Sequence, residues 1–344
     1  CKVKQRGPIM IQIQEAILHF YDAAALSETL SDTTLDLRSG LMVDYLAHHI
    51  ERGLKDPAAS HAQFSQTSAV PERLKTFIKG DEGLVDFSKW AAGLFFGELR
   101  DLGVEENYHL ALARFHTEIG TPYLAILALA DKLAYTHQVD AADDGTLSAS
   151  IAVHRSIMPQ PTQRIKGYVF INLEDLGIRL CDIKVKFEKE TILLFEEVLL
   201  GCLTEPSSRE SYRQIRQMTL AVADDYSQDG VEAFTRAKKF LADNADNSDL
   251  VDTRTLAEKV FPNSIQMQNS FMGEVSYANL PENLVVEQEF ARKQTATHKL
   301  VCDGEITITI PAEWYDDPDR VEIRMESDGT TTITLRGIET MTAK

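Results

Sequence analysis

The chain has 344 residues, of which 44% are hydrophobic and 26% charged, an ordinary composition for a globular protein of two or three domains. No apolar run approaches the roughly 18 residues of a membrane-spanning helix, which excludes an ordinary bilayer-spanning protein. The net charge is −18, from 53 acidic and 35 basic residues. Because DNA binders contact phosphates through Lys and Arg, this balance excludes a basic surface over the whole chain.

The N-terminal part of the sequence mixes strand and helix patterns. In residues 11–20, apolar and polar residues first alternate and the segment then becomes apolar. This pattern predicts a strand that enters the domain. The spacing predicts one helix at 40–54 and two more within 72–103. Residues 108–116 and 122–130 predict a hairpin at the heart of this domain. An acidic loop is expected at 140–150, and further strands are expected at 151–158, 167–173 and 180–187.

From residue 191 the spacing of apolar residues becomes helical. Ser207 or Ser208 and Asp252 are suitable N-caps, and Pro262 ends the last helix of this group. The pattern predicts helices at 192–203, 208–226, 231–244 and 252–260.

The last part of the sequence carries the clearest strand pattern. Ile306, Ile308 and Ile310 alternate with threonines, and Val321 and Ile323 repeat the alternation. The two Asp-Gly pairs in this region, at 303–304 and 328–329, are strong hairpin signals. We therefore expect an antiparallel β meander with one buried face. Acidic residues outnumber basic ones here, so the meander is expected to be a structural cap or a protein contact.

These patterns together predict an α+β protein. The expected divisions are a mixed N-terminal domain with antiparallel strands at 10–190, a central helical region at 191–295, and a C-terminal β meander at 296–340 that packs on the rest. The first twenty residues lack the apolar segment of a signal peptide. Met10 is the expected natural start, because the ordered pattern begins at Ile11.

The sequence contains none of the usual catalytic signatures. It has no phosphate-binding glycine loop, no zinc-protease motif and no nucleophile elbow, and its histidines do not cluster with cysteines. Paired carboxylates at 143–144, 196–197 and 224–225 are interpreted as solvated faces. Asp182 followed by Lys184 leaves a metal-dependent nuclease as one alternative. Otherwise the sequence predicts no enzyme activity, no cofactor and no metal site.

The four cysteines indicate a reducing compartment. They are Cys1, Cys181, Cys202 and Cys302, and no two have the Cys-x-x-Cys spacing of a metal or redox site. The last three lie among apolar neighbours, as small core residues do. A cytoplasmic location follows from this usage.

The basic residues form three groups, of which the third is Arg236, Lys238 and Lys239, and the first two supply the candidate DNA contacts. Lys184 and Lys186 project from one face of a predicted strand. Three arginines, spaced four and three residues apart, share one face of a predicted helix. A solvated, salt-bridged face is the alternative for each group. The candidates are Arg164, Lys166, Lys184, Lys186, Arg209, Arg213 and Arg216.

Three stretches of the chain resemble the bacterial 37-kDa nucleoid-associated protein family. They are IQEAILHFYD near the start, YTHQVD followed by INLEDLGIRL in the middle, and the tail HKLVCDGEITITIPAEWYDDPDRVEIRMESDGTTTITLRGI. The resemblance implies a cytoplasmic protein found with the nucleoid that binds double-stranded DNA and is not an enzyme. It transfers no site residue, because the family has no motif of catalytic or DNA-contacting residues.

Three hypotheses about function follow from these observations. The first is a nucleoid-associated, sequence-independent DNA-binding or chromosome-organising protein that forms a homo-oligomer. The second is an acidic interaction module that a protein partner recruits to the nucleoid. The third is the metal-dependent nuclease-like enzyme. No membrane partner is expected.

Overall fold

The structure is a computed structural model that describes residues 11–141 and 146–342. The chain divides into two compact units, of which the first ends at Glu205 and the second begins at Pro206. Met10, Cys1 and the carboxylate pair at 143–144 lie outside the described residues. This division does not test the three predicted segments, so their boundaries stay a prediction.

The first unit is built on one sheet of eight strands in which all neighbours are antiparallel. Its order is β12-β3-β9-β8-β5-β4-β1-β2, and two hairpins, β6–β7 and β10–β11, form separate two-stranded sheets. The strands are β1 (Gln12–Asp22), β2 (Ser27–Thr29), β3 (Ser60–Phe64), β4 (Tyr108–His116), β5 (Pro122–Ala130), β6 (Lys132–Ala141), β7 (Leu147–Ile157), β8 (Gly167–Asn172), β9 (Ile178–Cys181), β10 (Lys184–Phe187), β11 (Glu190–Leu193) and β12 (Cys202–Thr204).

Helices cover both faces of this sheet. On one face, α1 (Gly40–Leu54) buries Leu46 and Ile50 against a cluster that includes Phe170. On the other face lie α2 (Val70–Lys79), α3 (Leu84–Asp101) and a π-helix (Leu194–Leu200). There Phe95 stacks on Phe195 with ring centroids 5.6 Å apart. Because the central strands are covered on both sides, β5 is a continuous apolar run.

Most of the elements predicted for this unit are confirmed. The helix at 40–54, the two helices within 72–103 and the hairpin of β4 and β5 lie where the spacing placed them. The loop expected at 140–150 is wrong at both ends, because β6 extends to Ala141 and β7 begins at Leu147. Thr, His, Gln and Ser interrupt the apolar residues of both strands, so the alternation was too weak to indicate a hairpin.

The helix expected at 192–203 is also wrong in part. Residues up to Leu193 belong to β11, and only Leu194–Leu200 is helical. Gly201 then adopts a left-handed conformation with φ of 57°, which ends the helix. The following Cys202–Thr204 pairs with β3, so tertiary pairing overrides the helical spacing.

The second unit begins with a helical cluster. Ser207 and Asp252 cap the helices that follow them by accepting from Glu210 N–H and Thr255 N–H, as predicted. Leu256 and Phe271 are fully buried in the core of these helices. The elements are α4 (Ser208–Asp225), α5 (Gly230–Asn244), β13 (Leu250–Asp252), α6 (Thr253–Val260), α7 (Ile265–Tyr277), β14 (Asn283–Val285) and α8 (Gln288–Thr295), with β13 paired to β14.

The C-terminal part forms two hairpins and not one meander. Strand β15 (Thr297–Cys302) pairs with β16 (Ile306–Pro311), and β17 (Val321–Met325) pairs with β18 (Thr331–Leu335). The short helix α9 (Ala312–Tyr315) separates the two pairs. The buried face is also smaller than expected. Ile310 is buried, but Ile306 and Ile323 are exposed. The antiparallel class holds, and the fold is α+β as predicted.

Candidate nucleic-acid interface

Strands β10 and β11 carry three exposed lysines, and we call this element the lysine hairpin. Lys184 and Lys186 lie on β10, and Lys189 lies in the turn that follows. The turn is tight, because Glu188 adopts a left-handed conformation with φ of 53°. None of the three lysines has an ion-pair partner within the described residues.

The pairing register decides which way these lysines point. Lys184 lies opposite Leu193 and Lys186 lies opposite Thr191. Side chains of directly opposed residues share a face, so both lysines lie on one face of the hairpin. The alternate positions Val185 and Ile192 pack against the core of the first unit. The lysine face therefore looks away from the core.

Asp182 closes the base of the lysine hairpin. Its carboxylate accepts hydrogen bonds from the backbone N–H of Ile183 at 2.7 Å, Phe195 at 2.9 Å and Glu196 at 2.8 Å. Burial raises the pKa of Asp182, and the three backbone donors act in the opposite direction. Both oxygens are thus engaged in joining the start of β10 to the start of the π-helix, which is a structural role.

A glycine that the sequence analysis did not single out packs against the same base. A Cβ at Gly167 would lie 2.5 Å from Ile183 Cγ1 and 2.8 Å from Phe195 Cε2. Such distances are shorter than the contacts of real Cβ atoms. The backbone of β8 can therefore approach the base of the hairpin this closely because residue 167 is a glycine.

Two predicted contacts of the first unit are engaged within the chain. Arg164 forms an ion pair with Asp56 at 2.8 Å. Lys166 forms an ion pair with Glu106. These residues precede β8 and do not belong to the lysine hairpin. Of the four candidates in this unit, Lys184 and Lys186 are the two that share one face of one element.

The three predicted arginines of the second unit lie exposed on α4, as their spacing indicated. Arg213 forms an ion pair with Glu210 at 2.5 Å. The Arg216 guanidinium lies 5.9 Å from the centre of the Phe234 ring, as in a cation–π contact. Arg209 also has a partner within the chain. This helix face is therefore partly neutralised by contacts within the chain, whereas no ion pair engages the three lysines of the lysine hairpin within the described residues.

Other kinds of site were sought in the described parts of the chain. There, no three His, Cys, Asp or Glu side chains are grouped so that they could hold a metal ion. Cys181, Cys202 and Cys302 are free thiols. None of the helices in residues 11–141 and 146–342 combines the length and the apolar character that crossing a bilayer requires.

Comparison with known proteins identifies the family. The family model described as "Nucleoid-associated protein YejK" matches residues 17–342, which is nearly the whole chain. A search of curated proteins finds no match. Because the matched range runs from β1 through both units to the last hairpin, the chain belongs to the family of the nucleoid-associated protein YejK.

Proposed function

We propose that this nucleoid-associated protein binds double-stranded DNA directly, through phosphate contacts made by the lysine hairpin. The observation that carries the proposal is the face formed by Lys184 and Lys186, with Lys189 beside it, exposed and without a carboxylate partner in the described residues. On a chain of net charge −18, such a face is a local exception that phosphate can occupy.

The chemistry of lysine supports binding without sequence preference. A Lys ammonium is a compact, mobile charge that contacts phosphate without the fixed fork that lets Arg recognise guanine. Contacts to phosphate position a protein on the duplex and carry no sequence information. Each phosphate neutralised releases counterions, so affinity falls as salt rises, with a slope of about −0.9 per contact.

The test is the double variant Lys184→Ala/Lys186→Ala. We expect its affinity for long duplex DNA at about 50 mM salt to fall by about tenfold or more, and the salt slope to shrink by about 2, because two contacts are lost. Fluorescence anisotropy over a salt series measures both quantities. The matched control is Lys75→Ala/Lys293→Ala, which changes the net charge equally but removes lysines that are paired to Glu72 and Glu289.

Equal losses in the two double variants would reject the lysine hairpin as the contact. No binding of the unmodified protein to duplex DNA at this salt would reject direct binding altogether. Arg164, Lys166, Arg209, Arg213 and Arg216 remain secondary proposals. Exposed ion pairs such as those of Lys166 and Arg213 contribute little to stability, so exchanging their carboxylate for a phosphate costs little.

A second candidate function rests on the charge itself. A surface with 18 excess negative charges attracts basic proteins and repels DNA. In that case the chain joins the nucleoid through a basic protein partner. Recovery of the chain together with nucleoid proteins after complete nuclease digestion of the DNA would support this candidate against direct binding.

We also propose that the protein is not an enzyme. The support is that Asp182, the residue on which a nuclease hypothesis rested, uses both carboxylate oxygens for backbone hydrogen bonds. Plasmid cleavage assays with Mg²⁺ or Mn²⁺ test this proposal. Cleavage that disappears in a folded Asp182→Ala variant would overturn it.

A further inference from the structure

Strands β6 and β7 form a two-stranded arm that no other element covers within residues 11–141 and 146–342. Their sheet is separate from the eight-stranded sheet. The arm is anchored at its base, where Asp131 N–H donates to Asn107 O at 3.1 Å and the Asp131 carboxylate lies 2.9 Å from His109 Nε2. Beyond this base the described side chains on both faces of the arm are mostly exposed. An isolated two-stranded hairpin is at best marginally stable in water, so the arm needs something to pack against.

The two faces of the arm differ in chemistry. The register pairs Thr136 with Ala152 and Gln138 with Ser150 on a polar face. The opposite face, which we call the arm's apolar face, pairs Tyr135 with Val153, His137 with Ile151 and Val139 with Ala149, and Leu147 extends it toward the tip. Tyr135 is 69% exposed, Leu147 70% and Ile151 77%, although each is a residue type that favours burial.

We infer that the arm's apolar face docks on the same face of a second copy of this chain. The area is one reason. Its five large side chains are Tyr135, Val139, Leu147, Ile151 and Val153. Together they expose roughly 500 Å² of apolar surface, which is near the upper limit for a patch on a monomer. Two such faces packed together bury roughly 1,000 Å², which reaches the lower limit of a specific interface, before the polar rim adds to it.

Charge is the second reason for choosing a second copy. Two copies of net charge −18 repel each other, so a contact between them is favoured where carboxylates are absent. The residues that form the arm's apolar face include no Asp or Glu, and Asp140 lies on the polar face. Because the face is uncharged, it needs no partner of opposite charge and is complementary to itself, as a two-fold interface requires. The same lack of cations makes it a poor surface for DNA.

The test compares two variants at neighbouring positions of β7, Ile151→Lys on the arm's apolar face and Ser150→Lys on the polar face. Both positions are exposed and both variants add the same charge, so neither change disturbs the core. Light scattering coupled to gel filtration measures the mass from about 1 to about 100 µM, a range that covers ordinary protein affinities. Far-UV circular dichroism checks that both variants keep their fold.

We expect the unmodified protein and Ser150→Lys to be dimers. Ile151→Lys should weaken the dimer by about 100-fold or more, because each copy brings an unpaired charge into a desolvated interface and the two-fold axis doubles the effect. A monomeric unmodified protein at the highest concentration would overturn the inference, whatever else binds the face. A dimer that survives Ile151→Lys, or one that both variants disrupt equally, would also overturn it.

Discussion

At the scale of single residues, buried polar side chains in this protein hold its loops and hairpins in place. His19 on β1 is 1% exposed, and its Nδ1 accepts a hydrogen bond from Ser31 N–H at 3.0 Å. An imidazole that accepts at Nδ1 must be neutral, because the protonated ring has only donors. Burial, together with the nearby charge of Lys89, lowers the pKa of His19 from 6.5 to about 4.

The lowered pKa of His19 makes stability depend on pH. Well above pH 6.5, His19 is neutral in both the folded and the unfolded chain and contributes nothing to the pH dependence of stability. As the pH falls below 6.5 the unfolded chain takes up the proton first, so the free energy of unfolding decreases, by about 3 kcal/mol in total once the pH is below 4. His19→Asn keeps an acceptor near the Nδ1 position and does not titrate. Urea unfolding at pH 7, 5.5 and 4.5 measures the free energy of unfolding. We expect it to decrease less with falling pH in this variant than in the unmodified protein.

The control for this prediction is His154→Asn, which removes an exposed histidine of the arm. Its stability should follow the pH dependence of the unmodified protein. If His19→Asn also follows that dependence, the buried histidine is not held neutral between pH 4 and 6.5 in the folded chain as proposed.

Asp182 provides a second test at this scale. Asp182→Ala leaves three backbone N–H groups at the base of the lysine hairpin without their acceptor. Each unsatisfied buried donor costs about 1–3 kcal/mol, and we expect the free energy of unfolding to fall by at least about 3 kcal/mol for the three. Chemical denaturation measures it. Asp140→Ala, on the exposed polar face of the arm, should change stability by less than about 0.5 kcal/mol. Equal effects of the two variants would contradict the structural role of Asp182.

At the scale of elements, close packing decides how the lysine hairpin is placed. Gly167 begins β8, and Ile183 and Phe195 fill the space where its side chain would be. Ile183 is the residue before β10, and Phe195 is near the start of the π-helix. The position of three surface lysines therefore depends on a buried glycine in a different strand, and a pattern within one segment cannot reveal that dependence.

Gly167→Ala tests this packing. The added methyl overlaps buried atoms on two sides, and overpacking of a dense core costs about 1–3 kcal/mol. The matched control is Gly93→Ala in α3, where no atom lies within 4 Å of the added Cβ. That control should be neutral or stabilising by up to about 1 kcal/mol, because alanine favours helix. Thermal unfolding of both variants measures the difference, and equal melting temperatures would show that the hairpin base tolerates the extra volume.

At the scale of the whole molecule, net charge has opposite consequences for folding and for binding. The 18 excess negative charges repel one another in the folded chain, and salt screens that repulsion. Salt also replaces the counterions that DNA loses on binding, which weakens any phosphate contact. The acidity of the chain is therefore compatible with DNA binding only through a local basic surface.

We predict that these two responses to salt have opposite signs. Between about 20 and 200 mM NaCl, the melting temperature should rise as self-repulsion is screened. Over the same range the affinity for duplex DNA should fall by about tenfold or more. Scanning calorimetry and fluorescence anisotropy in the same buffers measure the two quantities. An affinity that does not change with salt would argue against phosphate contacts by the lysine hairpin.

Sequence patterns predicted the parts of this protein whose signals are local. The α+β class, the hairpin of β4 and β5, and the caps at Ser207 and Asp252 are confirmed. They could be predicted because periodicity and capping act within a few residues. The three resembling stretches indicated the nucleoid-associated family, and the family match over residues 17–342 confirms both that family and the location at the nucleoid.

The candidate site was predictable only in part. Alternation along β10 correctly placed Lys184 and Lys186 on one face. It could not show that Arg164 and Lys166 are paired with Asp56 and Glu106, which are distant in sequence. Whether a surface cation is available depends on carboxylates that folding brings beside it, and that information is absent from the pattern of any one segment.

By itself, the sequence therefore determined the class, the family and most element types, because these follow from local propensity and from the order of motifs. Tertiary structure alone decided the lysine hairpin, the arm of β6 and β7, and the separation of the last strands into two pairs. Each of these depends on which strands pair and on what covers them. Pairing and burial join residues far apart in the chain, and only the folded molecule settles which of them meet.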